Sequence, residues 1–280
     1  MADLPPKPET STPKAAALLD LAERVAREAG EMLLAGAGDL RVDVSTKTSG
    51  TDMVSEMDRA SEALIVKGIL AERPYDAILG EETGSRDGSS GVRWVIDPLD
   101  GTTNYLYRHP IWAVSVGVEV DGQVAAGVVA SPGLRETFSA VRGGGARLNG
   151  DPIAVSDAVD LTGALVGTGF GYVAGRRALQ AAVLPHLLPA VRDIRRNGVA
   201  SLDLCWVACG RLDAYFEAGG QPWDVAAGLL IASEAGALSS GLDGGPVAPE
   251  SLMIATPGVA SALFGLLTRS GAAIPLESGN

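Results

Sequence analysis

The stretch "WVIDPLDGTTNY", residues 94–105, sets two aspartates three apart, each followed by a turn-former, and runs straight on into Gly101-Thr102-Thr103. Trp94, Val95 and Ile96 read as a buried strand, and Asp97-Pro98 with Asp100-Gly101 as the turn that ends it. Two carboxylates and two hydroxyls would then stand at the carboxyl end of a buried strand, where open α/β sheets hold their ligands. Further acids recur at expected element ends: Asp58, Glu81 with Glu82, and Asp224. Each has an ordinary role when taken singly, Asp58 closing a capping box, Asp224 complementing a helix dipole, the glutamates solvated in a loop. Gathered by a fold they would repel one another unless a cation joined them. An oxygen-only set with no accompanying His or Cys pair suits a hard ion, Mg²⁺ first and Mn²⁺ second. The Gly101-Thr102-Thr103 backbone offers N–H groups at the entrance to a short helix, which is an anion site. Metal ions beside an anion site point to phosphate chemistry.

The elements that must carry these groups follow from periodicity. Thr12-Pro13 caps a helix whose buried stripe is Leu18, Leu21, Val25 and Met32 and which ends near Gly36 to Gly38. Ser55-Glu56-Met57-Asp58 has the form of a capping box, with Met57, Ala60 and Leu64 as the buried stripe of a second helix. "DAILGEE" and "VRWVIDPLD" are strands separated by the polar loop "TGSRDGSSG". From Trp112 to Ser156 the pattern is a meander of "WAVSVGVEV", "QVAAGVVAS" and "RETFSAV", joined by Asp121-Gly122 and Ser131-Pro132-Gly133, with Asn149-Gly150 as a further hairpin. The second half alternates: a strand at "ALVGTGF", a helix from about Arg176 to Leu188, a helix through "SLDLCWVACG", a strand at "DAYFEA" and a helix opening at "PWDVAAGLLIASEAG". This mixed order predicts an α/β sandwich of stacked sheets and helices rather than a doubly wound Rossmann unit.

Composition narrows the partners. The 280 residues are 46% apolar and 20% charged, an ordinary globular balance that leaves room for a large core. Lys and Arg number 22 against 34 Asp and Glu, a formal charge of −12, which argues against nucleic acid or an anionic membrane as the main partner. "MADLPPKPETSTP", residues 1–13, lacks the plan of a signal peptide and reads as a flexible tail, and no apolar run approaches the roughly 20 residues that span a bilayer. A cytoplasmic location is the default expectation. Cys205 and Cys209 stand i, i+4 and read as small buried apolar residues on one helix face. His109 and His186 stand alone in sequence.

The segments "DMVSEMD", "GEE", "WVIDPLDGTTNY" and "WDVAAGLLIASEAG" occur in the order, and near the spacing, of the inositol monophosphatase family, which the chain resembles over roughly residues 14–272. "KTSGTDMVSEMD" and the "GGARLNG" hairpin share the likeness. Within the family, "LVGTGFGY" and "VRDIRRNGVASLDLCWVACGRLDAYFEAG" are most similar to the actinobacterial inositol-1-monophosphatases. The resemblance implies a layered αβαβα sandwich of the metal-dependent sugar phosphatase type, as a single catalytic domain over 14–272 with sub-regions of about 14–156 and 157–272 and a tail at 273–280. It implies Mg²⁺-dependent hydrolysis of myo-inositol 1-phosphate by two or three ions, with Mn²⁺ as substitute, inhibition by Li⁺, and a homodimer. Glu81, Asp97 and the Leu99 carbonyl match the ligands of a first ion, and Asp97, Asp100 and Asp224 those of a second. Thr102, held by Asp58, matches the pair that orients the attacking water and receives its proton, the water being activated by the ion that Glu81 holds. The N–H groups of Gly101 and Thr102 match the phosphate contacts, and Glu217 with Gly198, Val199 and Ala200 the contacts to ring hydroxyls. Ser55 replaces the commoner Thr, and Asn197 and Val199 are not typical of the ring-contact segment.

The chemistry suits the composition: two metals that activate water and neutralise the departing alkoxide leave no need for a nucleophilic Ser or Cys or for a catalytic His. Sister activities on the same site, histidinol-phosphate phosphatase, fructose-1,6-bisphosphatase or a 3′-phosphonucleotide phosphatase, are the alternatives within the class. A non-catalytic regulatory scaffold is the alternative outside it.

Overall fold

The computed structural model describes residues 15–37 and 50–273. The Thr12-Pro13 cap, the 1–13 tail and residues 274–280 of the C-terminal tail lie outside them. Helix α1 (Ala15–Ala37) buries Leu18, Leu21 and Val25 as the 3.6-residue period requires, with Met32 partly buried. Helix α2 (Gly50–Glu72) starts earlier than expected, so Ser55 to Asp58 lie inside the helix and do not form its cap. Its buried line is Asp58, Ser61, Glu62, Ile65 and Ile69, while Ala60 is exposed.

Strands β1 (Ala77–Gly80), β2 (Gly84–Arg86), β3 (Val92–Asp100), β4 (Ala113–Val120), β5 (Gln123–Ser131), β6 (Glu136–Val141), β7 (Ala146–Leu148) and β8 (Asp151–Ile153) form one eight-stranded sheet in the order β2-β1-β3-β4-β5-β6-β7-β8. The short helix α3 (Thr102–Leu106) interrupts the run between β3 and β4. The meander is as read, and its Asp121-Gly122 turn has φ of 51° and 80°, the left-handed pair that a two-residue hairpin needs. Strand β2 arises from the segment read as a polar loop; all three of its residues are exposed, so it carries no hydrophobic signal.

A second, five-stranded sheet has the order β10-β9-β11-β13-β12. It is built from β9 (Leu165–Thr168), β10 (Asp193–Arg195), β11 (Ala214–Ala218), β12 (Leu238–Ser240) and β13 (Ser251–Ala255). The helix expected over 176–188 is two pieces, α4 (Ala174–Ala181) and α5 (Leu184–Leu187), with Pro185 at the start of the second. Helices α6 (Ala200–Ala208), α7 (Pro222–Glu234) and α8 (Pro257–Arg269) follow among the described residues.

Three cores show how the layers stack. Helices α1 and α2 cover one face of the large sheet through Val25, Leu33, Ile65, Trp94, Val116 and Val128. On its other face Val129 and Phe138 meet Leu204 of α6 and Ile231 of α7, which in turn pack on Tyr215, Leu252 and Ile254 of the small sheet. Val166, Phe216 and Met253 on the far side of that sheet are covered by Leu187 of α5 and Leu263 and Leu267 of α8. The architecture is therefore the expected αβαβα sandwich. Because both faces of the large sheet are covered, β4 and β5 are near-continuous runs of Val, Ala and Gly instead of alternating. Close approach needs Gly127: a Cβ there would stand 2.9 Å from the Ala227 Cα of α7.

Candidate active site

Strand β3 does not end at Asp97. It continues to Asp100, with Asp97 opposite Ser115 and Asp100 opposite Ala113, so one extra residue is accommodated between them. Residues three apart on a regular strand face opposite sides; a bulge of one residue restores a common side. Pro98 fits the break because it has no N–H to give the ladder. Ser61 donates to the Pro98 carbonyl at 2.9 Å, and the Leu99 N–H is taken by Asp97 Oδ1 at 3.0 Å. Gly101 follows with φ 92°, a left-handed position where a side chain would also collide with Val199, and hands the chain to α3. The expected turn is thus a bulged strand end plus one glycine.

Both aspartates open into a cavity of ≈ 340 Å³ at the junction of the two sheets. Its walls include Glu81, Asp97, Leu99, Asp100, Gly101 and Thr102 from the first half of the chain. Gly198, Val199, Ala200, Glu217 and Asp224 line it from the second. Every residue matched to an ion, the phosphate or the ring therefore lines one cavity, whereas Asp58, Glu82 and Thr103 do not. Thr102 Oγ1 donates to the Leu99 carbonyl at 3.1 Å, which occupies one lone pair of that oxygen. The expected Asp58–Thr102 pair is not formed: Asp58 is buried behind the cavity, and its Oδ1 has no hydrogen-bond partner among the described residues. It faces acids: Glu82 and Glu81 on the neighbouring loop, and Glu62 one turn on in α2.

Glu62 was missed by the sequence reading, and its i, i+4 relation to Asp58 was the available signal. Fully buried, it accepts from the backbone N–H groups of Glu82 and Thr83, both at 2.9 Å, and from the Thr83 hydroxyl, so it fixes the loop that carries Glu81. Ser201 was missed as well; its N–H and Oγ donate to Asp100 Oδ2 at 2.8 and 2.6 Å. Asp224 stands in the first turn of α7, where its Oδ2 accepts the Gln221 N–H at 2.7 Å in a reciprocal capping box. Its helix-capping role and its place in the cavity coexist. Tyr215 donates to Glu217 Oε2. Arg176 and Arg196 also line the cavity, and nothing in their sequence context marked them.

Electrostatics unite the acids. Burial, then the neighbouring Asp100, Glu81 and Asp224 charges, hold the Asp97 carboxyl well above the usual range. Burial and Asp224 do the same to Asp100, against the pull of Ser201. Glu81 is pushed up to about 7 by desolvation and by Asp224, a shift that a side-chain hydrogen bond with Asp97 moderates. Asp58 is pushed up to about 8 by burial, then by Glu82, Glu81 and Glu62. Burial raises Asp224 too. Among the described residues no three Asp, Glu, His or Cys side chains are already set in an ion's geometry. The donor set nevertheless fits a hard divalent ion: it is all oxygen, it is negatively charged, and its members raise one another for want of a counter-charge.

A family model described as the inositol monophosphatase family matches residues 14–270. The chain is 43% identical over 282 residues to an inositol-1-monophosphatase of Mycobacterium bovis, covering 93% of this chain and 97% of that one. It is 42% identical to the Nus factor SuhB of Pasteurella multocida, over 81% of this chain and 86% of that one. Among solved structures, the inositol monophosphatase from Anabaena (Nostoc) sp. PCC 7120 aligns with a TM-score of 0.80 at 35% identity, covering 95% of this chain and 99% of that one.

Proposed function

Because the chain belongs to the inositol monophosphatase family and is a phosphoric monoester hydrolase, we propose that it hydrolyses myo-inositol 1-phosphate and related inositol monophosphates to inositol and phosphate, with Mg²⁺ as its metal. The observation that carries this reading is the single cavity lined both by Glu81, Asp97, Asp100 and Asp224 and by Glu217, Gly198, Val199 and Ala200. Residues 14–272 act together as its catalytic domain.

Two or three Mg²⁺ ions, with Mn²⁺ as substitute, supply when bound a water of lowered pKa and positive charge beside the leaving oxygen. Glu81, Asp97, Asp100, Asp224 and the Leu99 carbonyl would hold these ions, Asp97 being the acid that neighbours all three of the others. Ser201 holds Asp100 in one orientation, so its free oxygen is presented to the cavity. The Gly101 and Thr102 N–H groups bind the phosphate oxygens, which Gly101 permits by approaching without a side chain. Thr102 orients the attacking water once its hydroxyl turns from Leu99. Asp58, buried with an unpartnered Oδ1, can take the proton that Thr102 passes back once that hydroxyl has turned to it. Glu217, oriented by the Tyr215 hydroxyl, accepts hydrogen bonds from ring hydroxyls.

The test is phosphate release from inositol 1-phosphate, histidinol phosphate and fructose 1,6-bisphosphate, with Mg²⁺ and after chelation. Inositol 1-phosphate should turn over only with metal and be inhibited by Li⁺. Full turnover after exhaustive chelation, or turnover of histidinol phosphate alone, would overturn the reading. Glu217→Gln should lower kcat/KM for inositol 1-phosphate about tenfold, since an amide oxygen still accepts, and should cost a cationic substrate more. The name carried by the Pasteurella relative favours a second reading as a regulatory binding protein, under which no substrate of the panel would release phosphate.

A further inference from the structure

The segment expected to contact the ring has no polar side chain of its own. Gly198, Val199 and Ala200 can meet a hydroxyl only through main-chain groups, so what they offer depends on how their peptide planes are turned. Helix α6 begins here without a side-chain cap, because Val199 stands at its N-cap position. The orientation must therefore come from outside the segment.

Asn104 provides it. It lies in α3, two residues beyond Thr102 of the phosphate cradle, and that helix is anchored by the Tyr105 hydroxyl, which donates to the Leu33 carbonyl at 2.6 Å. The Asn104 amide gives both of its hydrogens to main-chain carbonyls: Nδ2 donates to Ile111 and to Asn197, each at 2.8 Å. The 197–198 peptide is trans, so drawing the Asn197 carbonyl toward Asn104 turns the Gly198 N–H the opposite way. Among the described residues that N–H has no hydrogen-bond partner, and Gly198 lines the cavity.

The Asn197 side chain makes the complementary tie. Its Nδ2 donates to Asp203 Oδ1 at 2.5 Å, and Asp203, buried in the first turn of α6, gives its N–H to the Val199 carbonyl at 2.9 Å. Gly198 has φ 78°, a left-handed turn that glycine takes without strain. Asn197 is thus held twice, by its carbonyl to α3 and by its side chain to α6. Neither Asn104 nor Asn197 lines the cavity, so neither touches a substrate there.

We infer that Asn104 and Asn197 are positioning residues for the alcohol half of the substrate: together they fix the Gly198 peptide so that its N–H meets a hydroxyl oxygen of the bound ring. The inference rests on the proposed phosphomonoesterase and adds two residues to its specificity. The bonds from Ser201 to Asp100 hold the start of α6 separately, so loss of either asparagine leaves the acids in place.

The test compares inositol 1-phosphate with 4-nitrophenyl phosphate, whose leaving group carries no hydroxyl, in wild type, Asn104→Ala, Asn104→Asp and Asn197→Ala. In Asn104→Ala, KM for inositol 1-phosphate should rise and kcat/KM fall about tenfold, the worth of one or two neutral hydrogen bonds. For 4-nitrophenyl phosphate kcat/KM should change by less than about threefold. Asn104→Asp keeps the shape but, ionised, has no hydrogen to give, so it should lose at least as much. Asn197→Ala keeps the main-chain carbonyl and drops only the Asp203 tie, so its loss should be smaller, about threefold to fivefold, and still confined to inositol 1-phosphate. Since it leaves α3 untouched, it decides the matter if the Asn104 variants fail to fold. The Mg²⁺ concentration for half-maximal activity should stay at its wild-type value throughout. Equal losses on the two substrates, wild-type kcat/KM for inositol 1-phosphate in Asn104→Asp, or a raised Mg²⁺ requirement would overturn the positioning role while leaving the phosphatase intact. Failure of wild type to release phosphate from inositol 1-phosphate would overturn the proposed function and the positioning role together.

Discussion

Replacing Asp97 by Asn separates what the acid cluster costs the fold from what it gains. Asp97 is 2% exposed, accepts a hydrogen bond from the Leu99 N–H, shares a side-chain hydrogen bond with Glu81, and is crowded by the charges of Asp100, Glu81 and Asp224. An Asn oxygen can keep the Leu99 bond, and its NH₂ finds acceptors in the neighbouring carboxyls, while the repulsion on that side chain disappears. The metal-free variant should therefore melt at or above the metal-free wild type. If Mg²⁺ is the metal, as proposed, its binding to the native state alone should stabilise wild type by about 2.7 kcal/mol at a hundredfold excess over Kd. At roughly 2–4 °C per kcal/mol for a chain of this size class, the midpoint should rise by about 5–10 °C and then saturate. In Asp97→Asn most of that rise should vanish, with hydrolysis nearly abolished. The assay is thermal unfolding of both proteins in chelator, then against Mg²⁺, with NaCl matched for ionic strength. A full Mg²⁺ response in the variant, a metal-free variant melting well below wild type, or a wild-type shift reproduced by NaCl would refute the reasoning.

Ser201→Ala removes the 2.6 Å bond to Asp100 Oδ2 and leaves the backbone one, so the Mg²⁺ concentration for half-maximal activity should rise several-fold, read from a metal titration at saturating substrate. Gly127→Val drives a side chain into the α7 backbone at Ala227 and should cost about 1–3 kcal/mol, seen as a lower urea midpoint at unchanged slope. Metal-free stability should depend on pH with a definite sign. Asp58 and Glu81 are raised to about 8 and about 7 in the fold, from ordinary values of about 4. Their contribution is whole below about pH 4 and is lost as pH rises through 7 to 8. The urea midpoint in chelator should be higher at pH 6 than at pH 8.5, and saturating Mg²⁺ should flatten or reverse the difference; a midpoint in chelator that climbs with pH would count against the raised carboxyls.

Much of the fold was legible because its signals are local. The valine-rich strands, the Asp121-Gly122 hairpin and the Leu18-Leu21-Val25 stripe each declare themselves within a few residues. What stayed hidden depended on partners distant in sequence. Strand β2 has no buried residue and exists only because it pairs with β1. The start of α2 was misjudged because Ser55 and Asp58 mimic a cap, whereas Asp58 and Glu62 are acids buried mid-helix against the 81–83 loop. In the site, the residues carried by motif were found together, but the supports were not: Ser201 meets Asp100 across 101 positions of chain. The Asp58–Thr102 pairing was inferred from resemblance, and here the Thr102 hydroxyl prefers the nearer Leu99 carbonyl.

The junction that houses the cavity divides its labour between two scaffolds. The strand that supplies Asp97 and Asp100 belongs to the large sheet, and the one that supplies Glu217 belongs to the small sheet, with Arg196 just beyond that sheet's edge strand. Mutational drift along the small sheet can thus redraw which alcohol is welcomed without disturbing the bulge that sets the acids. A lineage built this way can exchange substrates cheaply while its hydrolytic machinery stays fixed, and a sequence that announces its reaction plainly will be reticent about its cargo.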